Sequence, residues 1–267
     1  MADISAEKRV VVLPDPASLA EAVATRFLQR VAKRVEGGRS AHISLTGGTM
    51  GIEVLRSAGR LAQRADIDWS RVHFWWSDER FVPADSPDRN DVPAGPAFLD
   101  RIDVPRENVH RVPASDQGLD LDAAAEAYAA ELARFGPTAT AATGFISGPW
   151  PSFDVCFLGV GPDAHIASLF PDRPEIQIVD RAVVAVRDSP KPPPDRVTMT
   201  RPVINSSKRV WLVLAGTDKA SALGLALAGA SYPSVPAAGA KGRRRTVFFV
   251  DEAAAGKVPP ELIDGEY

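Results

Sequence analysis

The 267-residue sequence has a single cysteine, Cys156, so no disulfide can close within the chain. That thiol lies inside an apolar run and reads as an inert buried side chain. An excess of charge of one sign is also missing. The formal net charge is −3, which offers nothing to nucleic acid or to an anionic membrane. No apolar stretch approaches the length needed to span a bilayer. The opening residues, MADISAEKRVVVLP, combine early acidic side chains with a brief apolar run, unlike a secretory signal. A cytoplasmic protein is therefore the expectation. Internal repeats, low-complexity tracts, a helix-turn-helix segment and a basic arm are likewise missing.

What is present fits one α/β domain spanning residues 1–267, with 45% hydrophobic and 24% charged residues. The chain is organised around residues 153–171, FDVCFLGVGPDAHIASLFP. Phe153 to Leu158 read as a strand broken only by Asp154. Gly159, Gly161 and Pro162 then stop it. A short block with helical period follows, and His165 stands at the seam, two residues after Asp163. In open α/β sheets, ligands sit beyond the carboxyl ends of the strands. Histidine suits proton transfer near neutral pH. A lone histidine can equally be a structural hydrogen-bonder.

Further strands are expected at Lys8–Leu13, Ala41–Leu45, Val72–Ser77, Ala182–Val186, Arg196–Thr200, Arg209–Ala215 and Thr246–Val250. Leu19, Val23, Phe27 and Val31 mark one helix face, opened by a Ser18/Glu21 capping box and closed by Gly37-Gly38. Ile52, Leu55 and Leu61 belong to a second helix, Ala94–Asp100 to a third and Leu121–Phe135 to a fourth. Asp218-Lys219 opens another. Residues 83–118 read as a functional loop or lid, and residues 136–152 as a loose surface connection. Strands alternate with helices, so an open, mainly parallel twisted sheet with helices on both faces is expected, a Rossmann-like three-layer α/β fold.

Polar residues collect at four strand ends. Thr46-Gly47-Gly48-Thr49 places paired glycines before a helix, where backbone N–H groups and the helix terminus attract an anion. A tight turn without ligand would use the same residues. The motif is neither a Walker loop nor the dinucleotide fingerprint. Asp78-Glu79-Arg80 follows the apolar Phe74-Trp75-Trp76 and is expected at the mouth of the crevice, or as a solvated ion-pair cluster. Lys191 and Arg196 flank a proline-stiffened, extended segment and suit a phosphate or carboxylate. Lys219, at a helix start where a cation is slightly disfavoured, makes sense beside an anion.

Taken together these residues resemble the 6-phosphogluconolactonase family, within the superfamily that includes glucosamine-6-phosphate isomerases and deaminases. The matching segments are SLTGGT (44–49), WSDERFVP (76–83), LGVGPDAHIASLFP (158–171), SPKPPPDRVTMT (189–200) and GTDKA (216–220). Deaminases resemble the third segment but continue with Asn-Glu-Pro, where this chain has Ser168-Leu169-Phe170-Pro171. Arg80 also matches the lactonase form. Two positions depart from the pattern. Ala164 replaces a usual glycine, and Arg89-Asn90 replaces a usual Ser-Asn, so Asn90 is carried over and Arg89 is not.

The resemblance implies hydrolysis of 6-phospho-D-glucono-1,5-lactone without metal or cofactor. It implies catalytic roles for His165, Asp163 and Arg80. Thr46, Gly47, Gly48, Thr49, Asp78, Asn90, Lys191, Arg196 and Lys219 would bind the substrate and its phosphate. The expected partner is a small sugar phosphate, not nucleic acid or membrane, and the expected state a monomer or small homo-oligomer. A glucosamine-6-phosphate deaminase and a non-catalytic sugar-phosphate sensor are the rival readings.

Overall fold

The structure is a computed structural model and describes residues 8–137, 148–256 and 258–263. In chain order the elements are β1 (Lys8–Leu13), α1 (Pro16–Glu36), β2 (Ala41–Leu45), α2 (Gly48–Leu61), β3 (Val72–Trp76), β4 (Asp78–Arg80), α3 (Asp91–Ala97) and α4 (Leu121–Arg134). They continue with β5 (Val155–Gly159), β6 (Val183–Val186), β7 (Arg196–Met199), α5 (Arg201–Asn205), β8 (Arg209–Leu214), α6 (Ala220–Leu227), β9 (Arg245–Asp251) and α7 (Glu252–Ala255).

Six strands form a parallel sheet in the order β1-β9-β8-β5-β2-β3. Parallel strands buried on both faces should be apolar at successive positions, and they are. Val155 and Phe157 point to one core, while Cys156 and Leu158 point to the other. Trp211 and Val213 alternate in the same way with Val210 and Leu212. On one face lie α1, α2 and α3, through Leu19, Val23, Phe27, Leu55 and Phe98. On the other lie α4, α6 and a small second sheet, through Leu132, Leu223, Val197 and Met199. Among the described residues, no helix is long and apolar enough to cross a membrane.

The second sheet was not expected. It is antiparallel, in the order β4-β7-β6. Asp78-Glu79-Arg80 is one of its strands rather than a solvated cluster. Asp78 is 6% exposed and Glu79 1%. The Glu79 carboxylate is tolerated there because it accepts N–H bonds from Arg80 (2.8 Å), Asn90 (2.6 Å) and Asp91 (3.0 Å), with Arg89 at 3.8 Å. The β7 residues read as a polar strand are all buried.

Three local expectations also change. The α1 cap is Asp15, whose carboxylate accepts from Ser18 N at 2.8 Å and Ser18 Oγ at 2.9 Å; no Ser18/Glu21 box forms, because the helix already begins at Pro16. The third helix runs earlier than Ala94–Asp100, as α3 followed by a 3₁₀ turn at Leu99–Arg101. Residues after β5 form tight turns instead of a helix, with bridges Val160–Ile166 and Ile166–Leu169. Their backbone turns at Ala164 (φ 65°) and Ala167 (φ 49°), outside helical geometry. Part of the 136–152 connection lies outside the described residues.

Candidate active site

Leaving β2, the chain crosses outward to β3, whereas β5, β8 and β9 build the sheet in the other direction. The carboxyl ends of β2 and β5 therefore flank the point where strand order reverses, the place an α/β sheet opens a crevice. Gly159 N donates to Thr46 Oγ1 at 3.3 Å and ties those two ends together. Above them lies a cleft of about 290 Å³.

The cleft gathers nearly every residue singled out in the sequence: Thr46, Gly47, Gly48, Thr49, Asp78 and Asn90, together with Arg80, His165, Lys191, Arg196 and Lys219. Asp163 is not part of the lining but touches it through His165. The two are 2.6 Å apart, Nδ1 to Oδ1. Lys191 Nζ donates to the same Asp163 oxygen at 3.1 Å and lies 3.2 Å from His165 Nδ1. Partial burial works against ionisation of Asp163, but the hydrogen bonds and charge of His165 and Lys191 outweigh it and hold the carboxyl well below the usual range. With Nδ1 facing a carboxylate, Nε2 is the nitrogen left for chemistry.

Behind the imidazole lies Phe170, with ring centroids 4.6 Å apart. Arg196 stands over that ring, its guanidinium carbon 5.7 Å from the centroid. The Arg196 side chain is 4% exposed and donates to the carbonyls of Lys191 (2.9 Å), Pro192 (3.1 Å) and Pro193 (3.1 Å). It thus clamps the proline loop that carries Lys191. That loop does not run straight, since Ser189 N bonds Pro194 O at 3.0 Å and closes it.

The other wall is fixed by Asp78, Asn90 and Ser168. Ser168 Oγ donates to Asp78 Oδ2 at 2.7 Å, and Ser168 N to Thr198 Oγ1 at 3.2 Å. Asn90 Nδ2 donates to Asp78 O at 2.9 Å. Its Oδ1 lies so close to Gly47 that a Cβ there would overlap it. The next residue differs: Gly48 has φ +76° and open space around it. Arg80 Nη1 donates to Asp88 O at 2.7 Å, which steadies the guanidinium at the cleft. Lys219 ends a 3₁₀ turn at Thr217–Lys219 and pairs with Asp218 at 3.1 Å. Arg89, not carried over from the resemblance, is buried away from the cleft in a forked pair with Asp91 (2.8 and 3.1 Å).

Ser168, Phe170, Thr198 and Glu79 are the residues that sequence reasoning missed as builders of the site. Their signal was present in the segments that carry the resemblance, but their roles depend on contacts between elements far apart in the chain. Among the described residues no group of His, Cys, Asp and Glu could hold a metal ion.

A sequence profile of glucosamine-6-phosphate isomerases/6-phosphogluconolactonases matches residues 14–249. The chain belongs to this family. It is 44% identical to a 6-phosphogluconolactonase of Streptomyces coelicolor, over 95% of this chain and 96% of that one. It is 46% identical to one of Mycobacterium tuberculosis, over 94% and 98%. A 6-phosphogluconolactonase structure from Thermotoga maritima superposes with a TM-score of 0.75 at 28% identity, covering 92% of this chain and all of that one. The α/β fold expected from the sequence is the fold of that relative.

Proposed function

We propose that the cleft hydrolyses 6-phospho-D-glucono-1,5-lactone to 6-phospho-D-gluconate, as a step of the oxidative pentose phosphate pathway. One observation carries this reading: a carboxylate-oriented imidazole and a set of cations open onto one cleft that a sugar phosphate would fill. The names of the relatives agree with it.

His165 Nε2 takes a proton from water as the water oxygen attacks C1 of the lactone. The tetrahedral intermediate then collapses, the bond from C1 to the ring oxygen breaks, and that oxygen takes the proton back from the imidazolium. Asp163 holds the imidazole in the tautomer this needs. Arg80 balances the negative charge that develops on the intermediate. The backbone N–H groups of Thr46-Gly47-Gly48-Thr49, at the start of α2, hold the 6-phosphate with Lys219. Binding at that remote group places C1 against the water. Arg196 shapes the site by clamping the proline loop, and Asp78 and Asn90 face the sugar hydroxyls.

Ser168 and Phe170 favour the lactonase over the deaminase. They stand where deaminases carry a different sequence, and here they hold Asp78 and back the imidazole.

The test is the decay of fresh lactone at controlled pH, with and without protein. His165→Ala should lower kcat about a hundredfold or more, the scale of lost acid–base help. A protein that leaves the spontaneous rate unchanged, or that releases ammonia from glucosamine 6-phosphate instead, would sink the proposal.

A further inference from the structure

The same strands that lead to the cleft begin at a second concavity, at their amino ends. It has a volume of about 300 Å³ and is lined by Arg30, Lys33 and Arg34 of α1, Arg39 of the following turn, and Lys208, Arg209 and Arg244. Asp154 is the single carboxylate in its wall. In a chain of net charge −3, seven cations around one carboxylate is a strong local imbalance.

Internal contacts do not remove it. Asp154 accepts from Lys208 Nζ at 2.6 Å, lies 3.4 Å from Arg34 Nε, and takes the His42 backbone N–H at 3.2 Å. Arg34 also donates to Ser40 O at 2.9 Å. The negative end of α1 accounts for Lys33 and Arg34 in its last turn. The side chains of Arg30, Lys33, Arg39 and Arg244 have no hydrogen bond or ion pair among the described residues. They converge from three separate parts of the chain onto one hollow. Burial, opposed by Asp154 and assisted by Arg34 and Arg244, lowers the Lys208 ammonium below its ordinary range. The hollow is thus a region where, among the described lining residues, cations outnumber the one carboxylate. Arg34 and Arg39 also border a neighbouring cavity of about 450 Å³, walled by Phe135 and Trp150. The Trp150 indole is pinned by a 2.8 Å bond from Nε1 to Ser206 Oγ.

We propose that this hollow binds a small polyphosphate anion, either a nucleoside polyphosphate or an inorganic one. Several phosphates in one chain match four free cations better than a single phosphate would. The flat apolar wall next door suits a base but is not needed for the phosphates. β2 spans about 16 Å between the two ends of the sheet, so the anion would sit apart from the substrate. β5 runs from the hollow to the cleft, since Asp154 precedes it and Gly159 lines the cleft.

The test is calorimetric titration of the whole chain with ATP and with tripolyphosphate at 150 mM salt. Three proteins are compared: the unaltered chain, Arg39→Glu/Arg244→Glu, and Lys219→Ala in the catalytic cleft. Both altered positions of the double variant are exposed, and Lys33→Glu on α1 is a second route to the same loss should the double variant not fold. Binding with Kd below 1 mM, weakened tenfold or more by charge reversal and kept in Lys219→Ala, supports the proposal. Lactone hydrolysis without added anion should be unchanged in the charge-reversed protein. ATP binding tighter than tripolyphosphate identifies the nucleoside form, and equal binding identifies the phosphate chain alone. The proposal is overturned by no binding, by binding lost in Lys219→Ala but kept on charge reversal, or by a twenty-nucleotide single strand binding tenfold tighter than either. The last result would mark an open polyanion surface.

Discussion

Lys191 is the residue whose placement most changes the reading of the site. The sequence put it near a phosphate, yet its ammonium touches Asp163 and lies beside His165. Arg80, Lys219 and Arg196 add positive charge from the other walls of the cleft, and Asp78 adds negative charge. In Lys191→Met, Asp163 keeps His165 alone as its partner, so kcat should fall with little change in KM. If Lys191 instead holds phosphate, KM should rise and kcat should stay near that of the unaltered chain. Ala164 allows a second test at this scale. Its left-handed φ of 65° costs an L-residue roughly 1 kcal/mol, and its buried methyl group contributes about 0.8 kcal/mol of burial. The two nearly cancel. Ala164→Gly should therefore leave the urea midpoint almost unmoved.

At the scale of elements, the six strands of the large sheet were legible because both faces are buried. Their apolar runs are almost continuous, and boundaries such as Lys8–Leu13 and Ala41–Leu45 match those read from the sequence. The small sheet was not legible. β4 is three residues long, two of them acidic, and no local rule places such a segment inside. What holds it is the turn at residues 90–91, whose two N–H groups donate to the Glu79 carboxylate. Burial and the neighbouring Asp91 push the Glu79 carboxyl up, against the pull of Arg89 and of the Asn90 and Arg80 N–H groups. Truncation in Glu79→Ala would strand the N–H donors of Arg80, Asn90 and Asp91 in the interior, while Arg89 keeps its pair with Asp91. The loss should be roughly 2–5 kcal/mol in a denaturant titration, the scale of several buried donors left without acceptors. The loop that carries His165 was legible in identity but not in shape. Its helical period is real as a spacing of apolar residues, but Gly161, Pro162 and two left-handed alanines divert the backbone.

For the whole molecule, acid stability is set away from the cleft. His42 and His73 stack at 4.7 Å between centroids, and His73 Nδ1 lies 3.1 Å from His110 Nε2. Burial, reinforced by the neighbouring histidines, lowers His42 to about 3 and His73 to about 4. Both are neutral in the folded chain where an unfolded histidine would already bind a proton. The unfolded state therefore takes up more protons between the ordinary histidine range and pH 4, and stability falls as pH falls. Urea midpoints should be level above pH 7 and decline from about pH 6.5 toward 4. A midpoint that stayed flat across that interval would show that the cluster opens without unfolding the chain.

The adjacent glycines of the first turn look interchangeable on paper, yet they answer to different constraints. Gly47 is a question of room, because anything larger displaces the Asn90 amide, and with it one wall of the cleft. Gly48 is a question of backbone angle alone, in open surroundings. Drift should therefore be one-sided: asparagine, which accepts left-handed angles, can enter at the second position, while the first stays closed to every side chain unless position 90 shrinks with it.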